Sequence, residues 1–145
     1  MGTLMFITKQ IEFCAAHRLF REDLSEEENR RLFGKCANPF GHGHNYVLEA
    51  TFSGTPDKTT GMIVHFDSLS RLLEELVFNP MDHRHLNHDV AFLKGELPTS
   101  ENIVIVLWEK ISQTLNGQPF SLYRLKLSSS ARNAVEYFGP EKREV

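Results

Sequence analysis

Two stretches that alternate strictly between apolar and polar residues do most to limit what this chain can fold into. In "MFITKQIEF", residues 5–13, Ile7, Ile11 and Phe13 fall on one side and Thr8, Gln10 and Glu12 on the other. In "HNYVLEATFSG", residues 44–54, Tyr46, Leu48, Ala50 and Phe52 oppose Val47, Glu49 and Thr51. A period of two sends successive side chains to opposite faces, so each stretch predicts a half-buried strand that needs a cover. Two later segments can supply it. "DSLSRLLEELVF" repeats Leu69, Leu72, Leu73, Leu76 and Val77 at helical spacing, with Asp67 as the predicted N-cap. "TSENIVIVLWEKISQTLNG" carries a second stripe, Ile103, Val104, Leu107, Trp108, Ile111 and Leu115, and stops at Gly117. A short surface helix is predicted between the first two strands, where Ser25 and Glu28 have capping-box spacing and Gly34 marks the stop. The tail "SLYRLKLSSSARNAVEYFG" reads as two strands around a polar turn, with Tyr123, Leu125 and Leu127 inward and residues 134–138 following. The predicted order is ββααββ, an α+β architecture in which an antiparallel sheet carries both helices on one face.

At 145 residues the chain is read as a single domain, residues 1–145. A net charge of −3 with interspersed signs builds no basic stripe and argues against a nucleic-acid partner. No stretch approaches the roughly 18 apolar residues of a membrane span, and the N-terminal residues lack the pattern of a secretory leader. The chain is therefore placed in the cytoplasm, with Cys14 and Cys36 read as reduced thiols. Four strands covered on one face leave two open edges, so a homo-oligomer with strand pairing between copies is expected.

Candidate chemistry gathers around "GKCANPFGHGHNY", residues 34–46. His42 and His44 stand two apart at the start of a strand, where their rings share a face and can share an ion. His17, in "FCAAHRL" just past the first strand, is the best third ligand, which would leave a fourth position open as in catalytic zinc sites. "MDHRHLNHD" offers a rival set in His83, His85 and His88, with oxygen from Asp82 and Asp89. That segment looks like a loop and is preferred as a source of acid–base groups, with Asp82 orienting the His83 imidazole. Cys36 reads as a zinc ligand or as a base and nucleophile; three histidine ligands favour the second role. In "PTSEN", residues 98–102, Thr99 or Ser100 is explicable as a helix cap and Glu101 as a charge at the positive end of the dipole; Glu101 could equally hold a ligand's paired N–H groups.

Together "FCAAHRL", "GKCANPFGHGHNY", "GMIVHFDSL", "MDHRHLN" and "PTSEN" resemble, in order and spacing, the 6-pyruvoyltetrahydropterin synthases over residues 11–137. The resemblance implies the tunnelling fold, in which three subunits pair their edges into a barrel and two trimers stack into a homohexamer. It implies zinc on His17, His42 and His44. It further implies catalysis by Cys36, Asp82 and His83, the latter two supplied across a subunit boundary from Cys36, and a pterin ring held by Thr99 and Glu101. The implied reaction converts 7,8-dihydroneopterin triphosphate to 6-pyruvoyltetrahydropterin with loss of triphosphate. The alternatives are the sister 6-carboxytetrahydropterin synthase, another pterin lyase, or a catalytically silent zinc-binding relative. Five residues between Cys36 and His42 resemble the biopterin branch, since the sister enzymes usually have fewer. One departure stands out: Ser129 and Ser130 occupy the last hairpin, where the family normally has Glu-Thr with the carboxylate on the pterin's N–H groups.

Overall fold

The computed structural model describes residues 2–140. Two long antiparallel strands form its spine, β1 (Met5–His17) and β2 (His42–Gly54), paired from Met5↔Gly54 to His17↔His42. Strand β1 thus runs four residues beyond the predicted Phe13, and His17 is its last residue rather than part of the following loop. The small residues Ala15 and Ala16 keep the pairing continuous opposite His44 and Gly43.

Helix α1 (Glu26–Phe33) joins these strands, with the Ser25 hydroxyl accepting from the Glu28 N–H at 3.1 Å as the capping-box spacing predicts. Helix α2 (Phe66–Leu73) is followed without a break by a wider π-helical stretch, Glu74–Phe78, and a last turn, Asn79–Met81. The widening falls just ahead of Pro80, which has no N–H to give and crowds the preceding turn. The N-cap of α2 is His65 rather than the predicted Asp67: the ring Nδ1 accepts from the Asp67 N–H at 3.1 Å, and Asp67 sits in the first turn near the positive end of the dipole. Helix α3 (Ser100–Thr114) is capped by Thr99, whose hydroxyl accepts from the Asn102 N–H at 3.1 Å.

Strands β4 (Ser121–Ser128) and β5 (Ala134–Tyr137) close the described chain as an antiparallel hairpin. The reading that Tyr123 points inward is corrected by a bulge. Thr51 pairs with Arg124 but Phe52 with Leu122, so Tyr123 is the extra residue and Leu122 takes the inward place beside Leu125 and Leu127. Tyr123 packs instead against Phe6 and Phe138.

Between α2 and α3 lies a strand that periodicity could not show, β3 (Arg84–His85), pairing parallel to β1 at Ala15 and Ala16. The sheet therefore has five strands in the order β3-β1-β2-β4-β5, and it is mixed rather than wholly antiparallel. Two residues carry no pattern, but bonds from outside the strand reinforce them: the His83 N–H to the Cys14 carbonyl and the Leu86 N–H to the Ala16 carbonyl. Beyond these, the Asn87 amide exchanges two hydrogen bonds of 2.8 Å with the Arg18 backbone. Phe13, Tyr46, Leu48, Phe52 and Leu125 on the sheet, Leu69, Leu73 and Val77 on α2 and its extension, and Ile103, Leu107 and Ile111 on α3 join one buried core. Both long helices cover the same face. Among the described residues no helix is long and apolar enough to cross a membrane.

Candidate metal centre and its surroundings

His42 and His44 alternate with Gly43 on β2, so their rings fall on the core side of the sheet, where His17 ends the neighbouring strand. The ring centroids are 4.7 Å apart for His17–His42, 5.1 Å for His17–His44 and 4.7 Å for His42–His44. One nitrogen from each ring lies within 4.8 Å of the others, and the Nε2 atoms of His17 and His42 are 3.2 Å apart. A tetrahedral zinc site with three ring nitrogens needs edges of about 3.3 Å, so the cluster fits a small divalent ion with modest closure. Among the described residues it is the one group of three or more histidine, cysteine and acidic side chains close enough to do so.

The surroundings prepare these nitrogens as ligands. His17 is buried, and its Nδ1 donates to the Pro98 carbonyl at 2.8 Å, which leaves the Nε2 lone pair for an ion. Burial, then the charges of His42, His44 and His85, push the His17 imidazolium down to about 4 against the pull of the Pro98 carbonyl, so the ring is neutral near pH 7. His44 is also lowered, by burial and then by His42, with the Ser129 backbone opposing the shift. Gly41 lets the chain enter β2: its φ is 74°, and a Cβ there would meet the His17 carbonyl at 2.6 Å.

Cys36 lies half-buried in a single 3₁₀ turn, Gly34–Ala37, tied to the end of β1 by the Leu19 N–H on its carbonyl at 2.8 Å. Arg18 Nε donates to the adjacent Ala37 carbonyl at 2.9 Å, which brings a cation to the same turn. Cys36 stands outside the histidine cluster, and both cysteines are free thiols.

Asp82 and His83 occupy the opposite flank of β1, next to β3. Asp82 accepts from the Cys14 N–H at 2.9 Å and from the ring Nδ1 of His83 at 2.6 Å. The Cys14 N–H first, and then His83, hold the Asp82 carboxyl below the usual carboxylate range. His83 is 80% exposed at the side chain and has a φ of 59°, a left-handed conformation that a non-glycine residue adopts only when its surroundings hold it there. Among the described residues no hydrogen bond joins this pair to Cys36 or to the three histidines. His85 and His88 turn elsewhere, with ring centroids 4.4 Å apart, so the rival ligand set does not converge on His83.

Thr99 is committed to its capping bond, and the Glu101 carboxylate is exposed, with no side-chain bond or ion pair among the described residues. Near His44 a recess of about 580 Å³ is lined by Gly43, Asn45, Val47 and Ser128, Ser129, Ser130 and Ala131, a wall without a carboxylate. The Pro98 carbonyl that orients His17 had no signal in the sequence, because any residue supplies a carbonyl.

Such a fold and site define an α+β protein with a three-histidine metal-type centre at one end of its sheet. The chain belongs to the 6-pyruvoyl tetrahydropterin synthase family, whose model matches residues 6–140. It is 40% identical over 134 residues to the 6-pyruvoyl tetrahydrobiopterin synthase of Pongo abelii, covering 92% of this chain and 90% of that one. Against the 6-carboxy-5,6,7,8-tetrahydropterin synthase of Synechocystis the identity is 31% over 140 residues, covering 94% of this chain and 95% of that one. The solved structure of Caenorhabditis elegans 6-pyruvoyl tetrahydropterin synthase superposes with a TM-score of 0.87 at 36% identity, covering 95% of this chain and 97% of that one.

Proposed function

We propose that this chain is a zinc-dependent 6-pyruvoyltetrahydropterin synthase, acting on 7,8-dihydroneopterin triphosphate and eliminating triphosphate. The observation that carries the reading is the convergence of His17, His42 and His44, in a chain about 40% identical to relatives named for that activity. Zinc held by these three rings would supply a Lewis acid able to acidify C–H bonds next to oxygens of the substrate's side chain. Cys36, held by the end of β1 but outside the ligand set, takes a proton from a side-chain carbon as a thiolate. The Asp82–His83 pair returns a proton, with the carboxylate fixing the ring's orientation. Triphosphate leaves with the C–O bond electrons, and tautomerisation moves reducing equivalents into the ring, so no external redox cofactor is consumed. Thr99 and Glu101 flank the ring-binding side in this reading.

The open edge of β1 supports a homohexamer built by strand pairing: β3 covers only Ala15 and Ala16, while Leu4, Met5 and Phe6 stay exposed. In that assembly His83 of one copy completes the site around Cys36 of the next. The enzyme is placed in the cytoplasm as a single domain without nucleic-acid or membrane partners. Ser129 favours one second reading, a 6-carboxytetrahydropterin or related pterin lyase, because the recess beside His44 lacks an anionic anchor.

Mass-spectrometric product analysis of zinc-loaded protein with 7,8-dihydroneopterin triphosphate tests the proposal. A 6-pyruvoyl product is expected. A carboxy or hydroxymethyl product establishes the second reading, and no product from zinc-loaded, assembled protein removes both.

A further inference from the structure

Between His17 and His42 the chain leaves the sheet on an excursion that carries Cys36, closed at its base because those two histidines pair across β1 and β2. Helix α1, inside the excursion, has its own fastening. The buried Asn29 side chain accepts from the Arg21 N–H at 2.7 Å and donates to the Leu24 and Ser25 carbonyls at 3.3 and 3.1 Å. The Cys36 turn, Gly34–Ala37, is tied back to the end of β1 by the Leu19 N–H on the Cys36 carbonyl at 2.8 Å and by Arg18 Nε on the Ala37 carbonyl at 2.9 Å. Arg18 reaches the turn from a fixed base: the Asn87 amide accepts from its N–H and donates to its carbonyl, both at 2.8 Å. Its guanidinium lies over the Phe20 ring, 4.2 Å from the centroid, and only 13% of the side chain is exposed. The same group meets Glu26 at 3.2 Å, but that carboxylate is 70% exposed and the pair is weak. The bond to the Ala37 carbonyl is charge-assisted and partly buried, so it is the stronger of the two.

We propose that Arg18 is a positioning residue: its guanidinium, standing on a backbone locked by Asn87, holds the Cys36 turn in place against the end of β1, where the histidine cluster begins. The residue that follows a metal-type ligand thereby fixes where the proton acceptor stands. The inference rests on the reading of Cys36 as the base and does not depend on which pterin product is made. A base works only within hydrogen-bond reach of its proton, and a displacement of about 1 Å costs roughly 10²-fold in rate.

The test compares zinc-loaded wild type, Arg18→Met and Glu26→Gln by hydrogen exchange with mass spectrometry, zinc analysis and steady-state kinetics on 7,8-dihydroneopterin triphosphate. Arg18→Met keeps the apolar stem and removes the donors. It is expected to speed exchange in the peptides covering Leu19 and the Cys36 turn by about tenfold, with the α1 peptide and the zinc content as in wild type. Its kcat should fall by roughly 10²-fold with KM little changed. Glu26→Gln should leave exchange and turnover within about twofold of wild type. Unchanged exchange at Leu19 in Arg18→Met overturns the proposal, and so does a raised KM at constant kcat, which makes Arg18 a substrate contact. If Arg18→Met loosens the whole chain, Arg18→Lys decides, because an ammonium keeps the charge but not the planar group that bonds Ala37 while stacking on Phe20. Loosening confined to Leu19 and the turn, with kcat lowered, supports the proposal, and wild-type values for both overturn it. Exchange needs no substrate, so failure of this clamp and failure of the assigned reaction are read separately.

Discussion

The three histidines and the Asp82–His83 pair sit on opposite flanks of β1 and differ in how completely one chain builds them. The histidine cluster is finished within the chain: two strands set its spacing, the Pro98 carbonyl orients the His17 ring, and burial keeps His17 neutral. The other pair is held from behind, by the Cys14 N–H on the carboxylate, while its imidazole projects into solvent from a left-handed residue. A ligand set must converge inward, because an ion needs several donors on one point. In the proposed reading the acid–base pair stands at an edge, where the exposed, left-handed His83 is placed to meet a neighbouring copy.

The largest effect is expected from removing a ligand. His42→Ala should lose stoichiometric zinc by elemental analysis and all measurable turnover, whereas Cys36→Ala should keep zinc and assembly while turnover falls by about 10²–10⁴-fold or more. Loss of zinc from Cys36→Ala would merge the two groups that the structure keeps apart. Next, His83→Ala should lower kcat by about 10²-fold or more with zinc unchanged. Mixing unfolded Cys36→Ala and His83→Ala proteins and refolding them together should restore a fraction of the activity if the site is shared between copies. Recovery no greater than from either variant alone would place both residues in one chain's site.

Acid should separate the flanks further. Folded-state His17 lies near 4 and an unfolded histidine near 6.5, so between those values the unfolded chain binds the extra proton. Stability of the metal-free protein from this residue is therefore full above about pH 6.5 and is lost as the pH falls towards 4, by at most about 3 kcal/mol. Denaturant titrations at pH 7 and 4.5 measure it, and His17→Gln should flatten the difference. The lowered Asp82 carboxyl works at more acid pH: its contribution is present above the ordinary aspartate range and is lost as the pH falls through its depressed folded value. The smallest effects concern the surroundings. Thr99→Ala should cost about 1 kcal/mol of stability through the lost cap, measured by denaturant unfolding. Ser129→Glu, which adds a carboxylate to the recess, should tighten pterin binding in a calorimetric titration, and unchanged affinity would place the ring's anchor elsewhere.

The same contrast separates what sequence and structure each decided. Alternation in β1 and β2 and the stripes of α2 and α3 were legible because secondary structure imposes a period on side chains that bury one face. His42 and His44 were legible for the same reason, since a spacing of two on a strand is already a geometry. The Ser25 and Thr99 caps follow from local rules, whereas His65 took the cap expected of Asp67 because a ring nitrogen in the right backbone position accepts as well. Strand β3, the bulge at Tyr123 and the carbonyl facing His17 left no trace in the pattern. They depend on backbone groups, identical in every residue, meeting across about 70 to 80 positions of chain. The sequence by itself determined which faces are buried and which side chains can hold a metal. Only the tertiary structure decided that His17 closes the cluster and that Asp82 and His83 stand on the other flank, because those outcomes are set by packing over distance.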